Sequence, residues 1–250
     1  IDKLGRRITP KTHPDSTYQQ FVMVTGCSFA LGYGLNDYST LSYYLDSLTG
    51  MRGYNYGISG HGTQQILEII RNRDLRTEIN ESSGTLIHLF IDDHLKRLIG
   101  SRRLIKMWAK EYPYFRLNDG VAERKGNFTT GRPILTLWYR AISESAFIDL
   151  FDIEIPWYTS SGHMKLFSSV LLQAKEEFNT QYPNGRFLVV IGPGSEMGSR
   201  VCSELDKVDE KCLDLSDLFD RTDPRYTIHY SEAHPDSPYY KEVAAAINQY

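Results

Sequence analysis

A serine and a histidine far apart in the chain have the side chains that acyl transfer needs. The segment "FVMVTGCSFALGYG" places Cys27 and Ser28 directly after an apolar run and a glycine. A serine nucleophile needs a base, a group that orients the base, and donors for the developing oxyanion. In "YSEAHPDSPYYKEV", His234 stands before an apolar helical pattern, with Glu232 two residues earlier. These residues predict a nucleophile and its base; the alternative is two turn residues.

Other chemistries match the sequence poorly. The phosphate-binding patterns G-x-x-x-x-G-K-[ST] and G-x-G-x-x-G are both absent. Asp92, Asp93 and His94 follow one another, and His88 lies six residues before His94. Adjacent side chains at a strand end point in different directions, so these residues are not a tight set of metal ligands. We therefore predict no cofactor and no metal.

Apolar segments and helical patterns alternate along the chain. Predicted strands cover 21–25, 54–59, 85–91, 186–192 and 212–219, and predicted helices cover 39–50, 63–75, 168–182 and 239–250. This alternation predicts an α/β protein with three α/β/α layers and a flavodoxin-like, five-stranded parallel sheet. Ser28, Ser59 and Asp92 all follow strand ends, where ligands bind in such sheets.

A long connection separates the third and fourth predicted strands. We predict one domain over 1–250 with an insertion at about 95–165. Within it, the segment 113–133 alternates around the turn signals Asn118-Asp119-Gly120 and Lys125-Gly126-Asn127, which predicts a hairpin beside helices. The insertion is either a lid or wall over the site or a peripheral decoration.

Composition excludes some partners. The 250 residues carry a net charge of -3, which argues against binding nucleic acid through a basic surface. No run of about 18 apolar residues is present, so we predict no membrane span. Seventeen tyrosines and three tryptophans suit a sugar or acyl groove, although ordinary core and surface use is the alternative. We make no prediction of oligomeric state.

Four short blocks in order resemble the SGNH (GDSL-type) hydrolases. They are "GCSFALGYGLND" (26–37), "NYGISGHGT" (55–63), "LFIDDH" (89–94) and "SEAHP" (231–235). The resemblance implies that Ser28 is the nucleophile and His234 the base. It also implies that the backbone amides of Ser28 and Gly60 form part of the oxyanion hole. It adds weight to the predicted three-layer fold.

The blocks depart from the family pattern at three positions. Cys27 replaces the usual Asp before the serine, and we expect it to be structural because only one neighbour at the turn can face a cleft. Ser231 stands where the family usually has Asp, so Glu232 is the predicted orienter of His234. The third departure is Asp92, which replaces the oxyanion-hole Asn.

An ionised Asp cannot donate the hydrogen bond that an Asn amide provides. Asp92 therefore belongs to the predicted oxyanion hole only if it is protonated. Otherwise His94 or Asn55 is the donor, or catalysis is weakened. Asp92 and Asp93 have an alternative role as caps of the following helix.

These expectations combine into a serine esterase that acts on small acyl esters through an acyl-serine intermediate. The preferred substrate is an O-acyl group on a carbohydrate and the second is a simple lipid ester; transfer to another hydroxyl is an alternative to hydrolysis. The rival hypothesis is a decayed SGNH-fold domain that binds a glycan or a protein.

The cellular compartment of the protein decides whether its cysteines can pair. The chain starts at Ile1, so we expect it to be trimmed, and the resemblance favours a periplasmic or extracellular location over a cytoplasmic one. Cys202 and Cys212 lie ten residues apart around a polar segment. They form a disulfide if the compartment is oxidising, and are two unrelated thiols otherwise.

Overall fold

A parallel sheet forms the centre of the protein in a computed structural model that describes residues 1–13, 17–228 and 234–250. The described residues form a five-stranded sheet and a separate two-stranded hairpin. The sheet strands are β1 (Gln20–Gly26), β2 (Arg52–Gly57), β3 (Ser83–Phe90), β6 (Arg186–Ile191) and β7 (Cys212–Asp214); the hairpin strands are β4 (Pro113–Asn118) and β5 (Val121–Asn127). The sheet order is β2-β1-β3-β6-β7, with every pair parallel. The predicted flavodoxin-like α/β fold is confirmed.

Helices cover the sheet and the long connection. They are α1 (Ser28–Leu31), α2 (Leu41–Thr49), α3 (Thr63–Asn72), α4 (Leu75–Glu78), α5 (Asp93–Ile99), α6 (Arg102–Met107), α7 (Phe128–Gly131), α8 (Pro133–Ile142), α9 (Ala146–Leu150), α10 (Ser161–Gln181), α11 (Gly198–Asp206) and α12 (Ser237–Gln249). Among the described residues, no helix combines the length and the apolar character needed to cross a membrane.

The sheet is buried on both faces, as its continuous apolar strands predict. Successive side chains of a strand point to opposite faces. Along β1, Phe21 and Met23 belong to a core with α3, α10 and α11, whereas Val22 and Val24 belong to a core with α2 and α12. This alternation produces the three layers.

Two predicted elements differ most in length from the observed ones. The strand predicted over 212–219 ends at Asp214, whose carboxylate accepts a hydrogen bond from the Ser216 amide at 3.0 Å and turns the chain. The helix predicted over 168–182 begins earlier, at Ser161. The Ser160 hydroxyl caps it by accepting from the His163 amide at 3.2 Å.

The connection between β3 and β6 contains α5 to α10 and the hairpin. The hairpin predicted within 113–133 is confirmed, because β4 and β5 pair antiparallel there. A small core of Ile105, Phe128 and Tyr139 joins α6, α7 and α8. The domain limits, with an insertion at about 95–165, stay a prediction.

A disulfide joins Cys202 in α11 to Cys212 in β7, whereas Cys27 is a free, buried cysteine.

We expect replacement of both bonded cysteines by serine to lower the free energy of unfolding by about 3 kcal/mol. The reason is that a cross-link restricts the unfolded chain, and a loop of this size gives roughly that value. Urea unfolding with and without reductant measures it. Reductant should leave the doubly substituted variant unchanged; equal midpoints for oxidised and reduced wild type would contradict the expectation.

Candidate active site

Ser28 and His234 meet above the carboxyl end of β1. The Oγ atom of Ser28 lies 2.9 Å from Nε2 of His234, within hydrogen-bond distance. Ser28 is the first residue of α1, so its side chain stands at the strand-to-helix turn. The sequence places these two residues 206 positions apart, and the fold brings together the predicted nucleophile and base.

His234 and the residue after it are anchored to the segment 227–228. The His234 carbonyl accepts a hydrogen bond from the Ile228 amide at 2.9 Å, and Thr227 and Pro235 form an isolated β-bridge. The imidazole packs against the rings of Phe29 and Tyr33, with centroids 5.6 and 5.0 Å away. These contacts fix the ring beside Ser28. Glu232 and Ser231 lie outside the described residues, and the role of Glu232 stays a prediction.

Cys27 points away from the site. Its side chain is fully buried in the core that α2 and α12 share, where Tyr239 and Tyr240 also pack. Ser28, in contrast, lines an open cavity. The neighbours at the turn therefore diverge, as the sequence analysis expects, and the hydroxyl rather than the thiol faces the cleft.

Two backbone amides near the site are available as donors. Neither the Ser28 amide nor the Gly60 amide has a hydrogen-bond acceptor within the parts of the chain that the structure describes. Ser28 lacks one because the first amides of a helix have no partner within it. Gly60 lies in the turn after β2 with φ +82°, a left-handed conformation that glycine adopts without strain.

The turn after β2, which contains Gly60, is hydrogen-bonded to the turn after β1, which contains Ser28. The Ile58 amide donates to the Gly26 carbonyl at 3.1 Å. At the end of β2, a Cβ on Gly57 would stand 2.2 Å from the Leu31 nitrogen, so only glycine lets α1 approach this closely. The two turns that carry the candidate donors are thus packed directly together.

Asp92 is held as a hydrogen-bond acceptor. Its carboxylate accepts from the Ser195 hydroxyl at 2.5 Å and from the amides of Glu196 and Met197 at 2.9 and 3.3 Å. These three donors engage both carboxylate oxygens and hold them against the 195–197 turn. Asp92 precedes α5 but makes no side-chain capping bond to it. It ties the end of β3 to the turn before α11, and we leave it out of the oxyanion donors proposed below.

The two alternative donors, Asn55 and His94, are both buried inside the protein. The Asn55 amide donates to the Ala30 carbonyl at 2.9 Å, and its oxygen accepts from the Gly57 amide at 3.0 Å. His94 is fully buried and stacks on His88, with ring centroids 5.1 Å apart. Asn55 thus holds α1, the helix that begins at Ser28, from within the core.

Two buried histidines, His88 and His94, and the half-buried His61 lie close together near the site. Burial lowers the pKa of His88 to about 3, and burial together with nearby His88, Arg97 and His61 lowers the pKa of His94 well below its usual value. Burial and then the Arg97 charge lower the pKa of His61 to about 4. All three imidazoles are therefore neutral at pH 7, and the scaffold of the site carries no buried histidine charge there.

A cavity of about 280 Å³ lies over Ser28 and His234. Arg97, Asp93 and Arg221 add charged groups to its lining. Arg221 also packs over the ring of Phe29, with its guanidinium carbon 4.7 Å from the centroid. A second cavity of about 700 Å³ shares Arg221 and Gly194 with the first. The two cavities are therefore neighbours that border on Arg221 and Gly194.

The two arginines and the 195–197 turn were not predicted from the sequence. Arg97 lies one turn beyond the third block, and its i,i+4 spacing from Asp93 was the available signal. Arg221 and Ser195 come from loops after β7 and β6 that carry no recognisable motif. Among the residues that the structure describes, no three His, Cys, Asp or Glu side chains are arranged to hold a metal ion.

No family model matches this chain, and no curated protein matches it. Solved structures do resemble it. An acetyl xylan esterase from the rumen bacterium Butyrivibrio proteoclasticus is 11% identical with a TM-score of 0.52, and the match covers 94% of this chain and 64% of that one.

Two further structures match almost the whole chain. A member of the lipolytic protein G-D-S-L family from Veillonella parvula is 14% identical with a TM-score of 0.47, covering 92% of this chain and 97% of that one. A catalytic mutant of an acetylxylan esterase from Geobacillus stearothermophilus is 11% identical with a TM-score of 0.47, covering 92% and 93%.

The fold can be assigned from the sheet and the sequence blocks together. The strand order is that of the flavodoxin-like sheet. The first three blocks span the carboxyl ends of β1, β2 and β3, and His234 of the fourth lies within hydrogen-bond distance of the serine of the first. With the likeness to the xylan esterase structure, these features show that the chain has the fold of the SGNH-type hydrolases.

Proposed function

We propose that this protein is a serine ester hydrolase of the SGNH type. The 2.9 Å contact between Ser28 Oγ and His234 Nε2 is the observation that carries the proposal. A base at this distance can accept the hydroxyl proton as the oxygen attacks a carbonyl carbon. The contact weighs against the rival binding domain, because a separation of Ser28 and His234 beyond hydrogen-bond reach would have favoured that rival.

The reaction has two steps. Ser28 Oγ bonds to the carbonyl carbon of the ester while His234 takes its proton, and the oxyanion is bound by the amides of Ser28 and Gly60. The carbon–oxygen bond to the alcohol breaks, and His234 returns the proton to that leaving oxygen. Water then attacks the acyl-serine in the same way and releases the acid. Another hydroxyl in place of water gives acyl transfer.

The substrate that we propose is a small acyl ester of a larger alcohol. The modest cavity over Ser28 suits a short acyl group, and the larger cavity beyond Arg221 leaves room for the alcohol. The likeness to the acetyl xylan esterase from Butyrivibrio proteoclasticus supports a carbohydrate as that alcohol. The Cys202–Cys212 disulfide supports an exported protein, because disulfides persist in oxidising compartments.

Hydrolysis of p-nitrophenyl esters tests the proposal. We expect kcat/KM to be highest for acetate or propionate and to fall by about tenfold or more at octanoate, because a long chain exceeds the cavity. Acetate release from acetylated xylan, measured beside the p-nitrophenyl series, tests the carbohydrate. Preference for the longest chains would indicate a lipid esterase instead, and absence of hydrolysis and acyl transfer in a folded sample would contradict the enzyme.

A further inference from the structure

Side chains from the connection between β3 and β6 contact the backbone of the turn that contains Gly60. The Tyr112 hydroxyl, which lies between α6 and β4, donates a hydrogen bond to the Gly60 carbonyl at 3.0 Å. The Arg97 guanidinium donates to the next carbonyl, that of His61, at 2.8 Å. Two side chains from the β3–β6 connection therefore hold the two peptides that follow the Gly60 amide.

Both ends of the peptide between Gly60 and His61 are bonded. Its carbonyl accepts from Tyr112, and its amide donates to the Ile58 carbonyl at 3.1 Å. Because a peptide is planar, these two bonds fix its orientation. Gly60 has no side chain that limits its own backbone torsions. The direction of its amide therefore depends on outside contacts such as these two bonds, which hold the next peptide of the turn.

The turn is also covered from the same side. A Cβ on Gly60 would lie 3.1 Å from the Tyr112 hydroxyl and 3.6 Å from the Trp108 ring. The rings of Trp108 and Tyr112 pack against each other with centroids 5.2 Å apart. The Arg97 guanidinium lies 5.9 Å from the Trp108 ring and is paired with Asp93 at 3.3 Å. The cover is thus a connected group of side chains.

Tyr112 is itself held in place as a neutral donor. Its amide donates to the Ala109 carbonyl at 2.9 Å, and its carbonyl accepts from the Phe128 amide at 3.2 Å. Burial raises the pKa of the Tyr112 phenol. The hydroxyl keeps its proton, and therefore its bond to Gly60, throughout the neutral pH range.

We infer that Tyr112 is a positioning residue, which orients the Gly60 amide toward the oxyanion by holding the Gly60 carbonyl. The inserted region then completes the active site and is not a peripheral decoration. This inference rests on the proposed function, because the Gly60 amide has this task only in acyl transfer. A misdirected donor lowers the rate of the chemical step more than it weakens substrate binding.

The test compares Tyr112→Phe with the matched control Tyr114→Phe. Tyr114 belongs to the same region, but its hydroxyl makes no hydrogen bond in the described parts of the chain. With p-nitrophenyl acetate, we expect Tyr112→Phe to lower kcat about tenfold with KM changed less than twofold, and Tyr114→Phe to leave both unchanged. Hydrogen exchange of the peptide covering 58–62 should become faster only in Tyr112→Phe.

The two readouts separate the possible failures. Exchange and kcat unchanged in Tyr112→Phe would overturn the inference while the esterase proposal stands. A loss of kcat shared by Tyr114→Phe, or accompanied by a fall in Tm, would assign the effect to packing and also overturn it. A wild type without turnover would refute the proposed function, whereas hydrogen exchange would still report whether Tyr112 restrains the turn.

Discussion

Ser28→Ala and His234→Ala are each expected to lower kcat/KM for p-nitrophenyl acetate by about 10⁴-fold or more. The first variant has no nucleophile, and the second has no group to accept the proton of the hydroxyl that lies 2.9 Å away. Losses of this size are typical of serine hydrolases in which one member of the catalytic group is removed. Steady-state kinetics of the purified variants measure the effect.

Non-additivity sharpens this prediction. Because the two residues act together, the double variant should be no slower than either single variant by more than about threefold. Both sites are close to the surface, so Tm should stay near that of wild type. A Ser28→Ala variant that keeps more than a tenth of the activity, while folded, would contradict the assignment.

The same assay tests Glu232, which lies outside the described residues. If its carboxylate orients the imidazole, Glu232→Gln should lower kcat/KM by about 10³-fold, because the imidazolium that forms in the reaction loses its partner. Asp236 is the matched control, since its carboxylate accepts a hydrogen bond from the Ser237 amide as the cap of α12. Unchanged turnover in Glu232→Gln beside an inactive His234→Ala would remove Glu232 from the site.

The second large effect is a loss of stability in mild acid. His88 and His94 are buried and neutral, because burial holds their folded pKa values below the ordinary histidine value of about 6.5. Between pH 6.5 and the folded pKa, the unfolded chain binds protons that the folded chain does not bind. The free energy of unfolding therefore falls as the pH drops through this window, by up to about 1.4 kcal/mol per pH unit for each histidine.

At pH 5 this amounts to a loss of roughly 2 kcal/mol for each of the two histidines, relative to pH 7. Both ring nitrogens of His94 lack a hydrogen-bond partner within the described chain. Replacing it by leucine should therefore cost little at pH 7 and should remove from the acid loss the roughly 2 kcal/mol that one such histidine contributes. Neighbouring Arg97 and His61 also oppose its protonation.

Urea unfolding at pH 7 and pH 5 measures these values for wild type, His94→Leu and the exposed control His13→Gln. The control should lose as much stability in acid as wild type does. A wild type that is equally stable at both pH values would show that the buried histidines are not protonated on unfolding, contrary to this prediction. A steeper acid loss in His94→Leu than in wild type would contradict it as well.

The sequence was sufficient for features that depend on local pattern. Continuous apolar runs predicted the buried strands, and the parallel sheet then required Ser28, Ser59 and Asp92 to follow neighbouring strand ends. The order of the blocks paired Ser28 with His234 across 206 residues. Cys27 was expected in the core because adjacent side chains at a turn diverge, and it is buried there.

Features that depend on contacts between distant loops could not be predicted in this way. Asp92 finds its donors at Ser195, Glu196 and Met197, about a hundred residues later. The bond from Tyr112 to Gly60 also depends on how the inserted region packs on the sheet. No periodicity or motif specifies either contact, so the sequence left the role of Asp92 and that of the insertion open.

Labelling with a fluorophosphonate probe, followed by peptide mass mapping, tests the central claim most directly. The probe reacts with serines that a base activates, and it requires no knowledge of the natural substrate. We predict a single adduct on the peptide that contains Ser28, abolished in Ser28→Ala and strongly reduced in His234→Ala. A folded wild type that carries no adduct on Ser28, or an adduct that forms equally well without His234, would contradict the account.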